Sequence, residues 1–124
     1  MIHVDTSFLV RALVMGSHED RLLRAWLARN RVVEVSAPAW AEYLCGPLDP
    51  TEAASASAIL GDAVPLTSAH AARAAAMFNA SGRRRGTLMD CLIAACAVEA
   101  DAAIATANPK DFDRIPGVRL AATT

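Results

Sequence analysis

The chain opens on a short apolar run, Ile2 to Val4, that stops at Asp5, which reads as a buried strand ending on a carboxylate. Thr6 to Leu13 follows with a helical pattern that stops at Gly16. Ser17, with Asp20 three residues on, resembles a capping box and predicts a second helix through Arg29, with Asn30 as its C-terminal stop. Val32 to Ser36 is a second strand, and Pro38 fits the first turn of a helix running to Gly46. Asp49, Pro50 and Glu52 start a further helix that Gly61 ends. Val64 to Leu66 reads as a third strand, placed at an edge because Pro65 cannot donate to a neighbouring ladder. An alanine-rich helix from Ala69 to Ala80 closes near Gly82, and after a basic turn, Arg83 to Arg85, Thr87 begins a helix through about Ala100. Ala102 to Thr106 is a fourth strand, Asn108 and Pro109 open a short helical turn, and Val118 to Ala121 is a fifth strand.

Short apolar strands alternating with helices predict a five-stranded parallel sheet covered on both faces, a three-layer α/β/α sandwich. A length of 124 residues suits one domain with one core. Residues of the hydrophobic class make up 54% of the chain but few are aromatic, so that core is built from Leu, Ile, Val and Ala on closely packed helices. Disorder is excluded by the same composition.

Charge and cysteine content narrow the function. The formal net charge of −1 lacks the basic footprint of proteins that hold nucleic acid by charge alone, so an RNA ligand requires a metal or a local arginine patch. Asp5 interrupts any leader-like apolar start, and Cys91 to Val98 is far too short to cross a bilayer; a cytoplasmic protein without membrane contact is expected. Cys45, Cys91 and Cys96 support neither a disulfide framework nor a zinc site.

In open α/β sheets ligands bind outside the carboxyl ends of the strands, where strand order reverses. Asp5 ends strand one, Glu42 lies just over a turn into the helix after strand two, Asp90 is in the first turn of the helix leading to strand four, and Asn108 and Asp111 follow that strand. These polar groups, distant in sequence, converge on one rim. Clustered carboxylates repel by about 4 kcal/mol per pair at ~4 Å with an effective dielectric near ~20, so they call for a cation. Oxygen ligands without His or Cys suit Mg²⁺ or Mn²⁺, which can activate water and neutralise charge on a phosphodiester.

At this point the residues acquire a family likeness. Val4-Asp5-Thr6-Ser7, Ala41-Glu42, the segment from Gly82 through Asp90 to Ala94, and Ala105 to Phe112 with Ile115-Pro116-Gly117 together resemble the PIN-domain toxins of bacterial VapBC toxin–antitoxin modules, over the whole chain. The resemblance implies a single PIN domain over residues 1–124 and a metal-dependent endoribonuclease, usually a homodimer, held inactive by a cognate antitoxin. It assigns Asp5, Glu42 and Asp90 to the acidic site. Many members carry Asp where this chain has Asn108; others have Asn there and an acid three residues on, a pattern that Asp111 fits. The resulting expectation is that Asp5 and Asp90 bind Mg²⁺, for which Mn²⁺ substitutes, while Glu42 and Asp111 complete the cluster or position water. Thr6, Ser7, Thr106 and Asn108 are expected to orient these groups.

Plainer roles stand beside each of these. Asp5 is also a good helix cap, Thr87 with Asp90 resembles a capping box, Glu42 by itself is an ordinary solvated helix residue, and Asn108 with Asp111 could be a cap and an early helical acid. Arg83, Arg84 and Arg85 are either a solvated turn or an RNA-binding grip on phosphates flanking the cut. Asp20, Glu52 and Asp113 read as caps or exposed charges, His3 as a satisfied core residue, His18 and His70 as surface groups, and Trp26 and Trp40 as core or dimer contacts. Two rival functions remain open. A haloacid-dehalogenase-type phosphatase would need an Asp where Ser7 stands, and a catalytically inactive PIN-like module would bind RNA or protein without cutting it.

Overall fold

A computed structural model of the chain describes residues 1–122, so the last two residues of the expected domain lie outside the described residues. Its centre is a parallel sheet of β1 (Ile2–Val4), β2 (Val33–Val35) and β3 (Ala103–Ala105), in the order β2-β1-β3. Ile2 pairs with Val33 on one side and with Ala103 on the other. Ile2, His3 and Val4 are all buried although alternate side chains point to opposite faces, so both faces of the sheet are covered, as a sandwich requires.

The expected third and fifth strands shrink to single parallel bridges, Ser36 with Val64 and Ile104 with Leu120. Val64 still takes the edge beside β2, but the chain turns into helix straight after Ser36, leaving Val64 one residue to pair with. At the other edge the turn containing Gly117, with φ 85°, aligns the chain only from Arg119, whose carbonyl accepts from the Ile104 N–H at 2.8 Å. The spatial order, Val64 bridge, β2, β1, β3, Leu120 bridge, reverses direction between β1 and β3.

Six helices connect these pieces among the described residues: α1 (Thr6–Ala12), α2 (His18–Ala28), α3 (Ala37–Leu44), α4 (Pro50–Leu60), α5 (Ser68–Ala80) and α6 (Leu88–Glu99), followed by a 3-10 turn at Pro109–Phe112. Helix α5 packs on α6, and α1 on α2. On α6, Cys91 and Ile93 through Ala97 are all buried, so this helix is apolar nearly all round and forms the spine of the core. Between α1 and α2, the rings of Phe8 and Trp26 stack with centroids 5.5 Å apart.

Several side chains differ from expectation. Asp20 is buried, since one oxygen accepts from the Gly16 N–H at 2.9 Å and the other from Arg24 Nε at 2.9 Å. His70 is buried as well, closing a capping box in which its Nδ1 accepts from the Thr67 N–H at 3.0 Å. His3 is in the core as expected but is not satisfied there. Neither imidazole nitrogen has a hydrogen-bond partner among the described residues, and the nearest carboxylate oxygen, on Glu34, is 4.0 Å away. No described helix is long and apolar enough to cross a membrane.

Candidate active site

Asp5 sits where β1 gives way to α1, at the reversal of strand order, with its backbone N–H bonded to the Ala105 carbonyl of β3 at 3.0 Å. Its Oδ1 accepts from the Phe8 N–H at 2.8 Å and from Ser7 Oγ at 2.8 Å. The side chain therefore does cap α1, and the cap is what fixes the carboxylate on the rim. Ser7 extends the fixation to β3, because its hydroxyl lies 3.2 Å from Thr106 Oγ1 and accepts from the Ala107 N–H at 3.0 Å. Thr106 in turn accepts from the Asn108 N–H at 3.0 Å. One hydroxyl chain thus ties the ends of β1 and β3 together.

The neighbouring Thr6 donates to Glu42 Oε1. Glu42 is exposed on α3, and this bond draws its carboxylate toward the start of α1. Asp90 lies in the first turn of α6, where the expected capping box does not form: the Thr87 hydroxyl donates to the Arg84 carbonyl at 2.6 Å and makes no helix cap. Asp111 is exposed on the 3-10 turn. Asp5, Glu42, Asp90, Asn108 and Asp111 line one open cleft of about 420 Å³, together with Thr6 and Ser7.

Electrostatics inside the cleft are those of crowded acids. Asp90 is pushed up to about 6, first by burial and then by the negative charges of Asp111, Glu42 and Asp5. Burial also raises the Asp5 carboxyl, against hydrogen bonds from Thr106, the Phe8 N–H and Ser7 that favour its ionised form, while Asp111 adds to the rise. Such acids cannot all ionise cheaply without a cation. Among the described residues no three His, Cys, Asp or Glu groups close around a point tightly enough to enclose an ion by themselves. Mg²⁺ does not require that, because it keeps several waters and takes one or two carboxylates, and an all-oxygen donor set is what it prefers. The donor set fits a hard divalent ion.

Sequence reasoning missed three lining groups of the cleft, Val10, Arg11 and Ile93. The signal for Arg11 was present, since it stands four residues after Ser7 on one helix and shares its face. Of the arginine turn, Arg83 has a left-handed backbone, with φ 54°, and its Nε donates to Asn79 Oδ1 at 3.0 Å; none of the three arginines lines the acidic cleft. Gly82 and Gly86, with φ 96° and 85°, bracket this turn in conformations that favour glycine.

A strand-order reversal lined by carboxylates on a three-stranded parallel core defines the class, an α/β protein with an acidic cleft at its switch point. The PIN-domain family model matches residues 2–118, and the chain belongs to that family. PIN domains are in general nucleases that use divalent metal ions. No curated protein matches the chain in sequence. Its fold is similar to that of VapBC2 from Rickettsia felis bound to a promoter DNA fragment, with a TM-score of 0.78, 22% identity and 98% of each chain covered. It is also similar to FitAcB from Neisseria gonorrhoeae, with a TM-score of 0.77, 19% identity and coverage of 99% of this chain and 98% of the other. A toxin–antitoxin complex from Klebsiella pneumoniae matches with a TM-score of 0.76 and 22% identity, over 100% and 98% of the two chains.

Proposed function

We propose that this protein is a metal-dependent endoribonuclease and the toxin of a type II toxin–antitoxin module. The observation that carries the reading is the acidic cleft at the strand-order reversal, where burial, reinforced by three neighbouring carboxylates, pushes the ionisation of Asp90 up to about 6. Asp5 and Asp90 would hold Mg²⁺, or Mn²⁺ in its place, with Glu42 and Asp111 completing the acidic set. When bound, the ion supplies a nucleophilic water at neutral pH and stabilises negative charge on the phosphodiester.

The chain's own residues have separate tasks in this reading. Ser7 and the Phe8 N–H hold Asp5 in one rotamer, so its donor atom is preorganised. Thr6 holds Glu42 at the mouth of the cleft, in reach of a proton from an attacking water. Thr106 fixes the backbone of Asn108 and thereby the turn that carries Asp111. The arginine turn, Arg83 to Arg85, offers positive charge on the flank of an otherwise repulsive site. The similar solved structures include a toxin–antitoxin complex, which supports a cognate antitoxin for this chain; a homodimer working in the cytoplasm is what the family resemblance adds to the reading.

Purified protein is therefore expected to cut total bacterial RNA into discrete fragments with Mg²⁺ or Mn²⁺, to stop on addition of EDTA, and to lose at least about a hundredfold of its rate in Asp90→Asn, the scale of one lost catalytic group. A second reading, a PIN-like module that binds without cutting, draws on Asn108 standing at the fourth acidic position and on the open spacing of the acids. Absence of calorimetric Mn²⁺ affinity, together with absence of RNA cleavage, would favour it.

A further inference from the structure

Immediately beside the acidic cleft lies a shallow groove whose lining includes Arg84, Lys110 and Arg114, and the two depressions share one wall, Asp111. The three cations come from two distant segments. Arg84 belongs to the turn before α6, held there by the bond from the Thr87 hydroxyl to its carbonyl, while Lys110 and Arg114 lie on and just beyond the 3-10 turn after β3. Lys110 is the only lysine in the sequence.

These charges are not consumed by the fold. Arg24, Arg73 and Arg119 are paired with Asp20, Glu99 and Asp101, but Arg84, Lys110 and Arg114 form no ion pair within 4.0 Å among the described residues, although Asp111 shares their groove. Three unpaired cations in one groove are a local excess on a chain whose net charge is −1. The hydroxyls in the groove are already committed: Ser81 donates to the Phe78 carbonyl and Thr87 to that of Arg84. What the groove presents to a ligand is therefore chiefly the charge of three cations, and charge of that kind recognises phosphates.

We infer that Arg84, Lys110 and Arg114 form a phosphate track that holds single-stranded RNA on the Asp111 side of the cut, feeding the chain across Asp111 into the acidic cleft. This rests on the nuclease reading above and deepens it. The track assigns the phosphate grip to one arginine of the three in the turn, joined by two cations outside it; Arg83 is tethered to Asn79 instead. It contributes affinity along the backbone.

The test is binding of a fluorescent single-stranded RNA oligonucleotide to the full chain in EDTA, by anisotropy over a salt series, with Mn²⁺-dependent cleavage of the same RNA measured in parallel. Each of Arg84→Gln, Lys110→Gln and Arg114→Gln is expected to make the slope of log affinity against log salt shallower by about 0.7, the contribution of one phosphate contact on a single strand. Arg31→Gln, the same charge change just before β2 on the opposite sheet edge, is the control and is expected to leave the slope unchanged. Unfolding midpoints of the four variants establish that each is folded. Three groove variants with the slope of Arg31→Gln would overturn the track and leave the nuclease reading standing. An unsubstituted protein that neither binds nor cuts RNA would overturn both.

Discussion

Asp90 is asked to ionise where the fold opposes it. Burial and three neighbouring carboxylates lift it to about 6, above its ordinary value of 3.8. A raised folded-state value means that the folded protein binds the proton more tightly than the unfolded chain, so the stabilising contribution is complete below pH ~4 and is lost as pH rises through about 6. At pH 7.5 the metal-free protein carries a penalty, and Asp90→Asn should relieve it. The full shift corresponds to at most about 3 kcal/mol, and solvent screening at this partly exposed side chain reduces it to the order of 1 kcal/mol. Denaturant titrations in EDTA should show the variant more stable than the parent at pH 7.5 and equal to it near pH 4; an equal gain at both would trace the effect to packing.

Side-chain roles were legible in the sequence only where chemistry and capping agree. Asp5 followed by Thr6 and Ser7 announces both the cap and the acid, and the structure shows the cap using the very oxygen that Ser7 holds. Thr87 and Asp90 match the capping-box spacing, yet Thr87 lies in the helical region with φ −100° and ψ −1°, where its hydroxyl reaches Arg84 instead. Spacing along the chain cannot specify that backbone angle. His3 shows the same limit from the other side. Its burial follows from the strand pattern, whereas its lack of a hydrogen-bond partner among the described residues depends on which atoms the covering helices bring to that face.

Among the elements, the helices were readable because their caps and stops are local: Ser17 and Asp49 each accept a backbone N–H at a helix start, while the cap at Thr67 went unread and the helix expected from Ala69 begins at Ser68. The outer strands were not, because a strand exists only to the extent that its neighbour remains extended, and β2 ends at α3 too soon for Val64 to gain a second partner. The element contact most exposed to test is the α1–α2 stack. Trp26 is 6% exposed and Phe8 is 1% exposed, so truncating the indole leaves a cavity against a ring that cannot follow it. Trp26→Ala should cost about 3–5 kcal/mol, a large part of the ~5–15 kcal/mol expected of a whole domain. Urea unfolding should show a lowered midpoint at an unchanged slope, while Trp40→Ala, at a half-buried position beside Tyr43, should cost clearly less.

For the molecule as a whole, acid and metal act on the same groups. Burial lowers the His3 value below 6.5, with His70 and the N-terminus adding to the effect and Glu34 opposing it. Its contribution to stability is complete above pH 6.5 and is lost as pH falls toward the lowered value. Asp90 runs the other way over part of that window, so the metal-free protein should show a shallow pH profile between about 4 and 6.5. A divalent ion breaks this balance because it binds only the folded state and only ionised carboxylates, stabilising by RT ln(1 + [L]/Kd). Protons compete at Asp90, so Mn²⁺ affinity should fall about tenfold per pH unit below about 6. Thermal unfolding with and without millimolar Mn²⁺ should therefore show a clear rise in midpoint at pH 7.5 that shrinks toward zero by pH 5, and Asp90→Asn should show a much smaller rise at either pH. A rise of equal size at both pH values in the unsubstituted protein would place the ion on groups with ordinary carboxylate ionisation, away from Asp90.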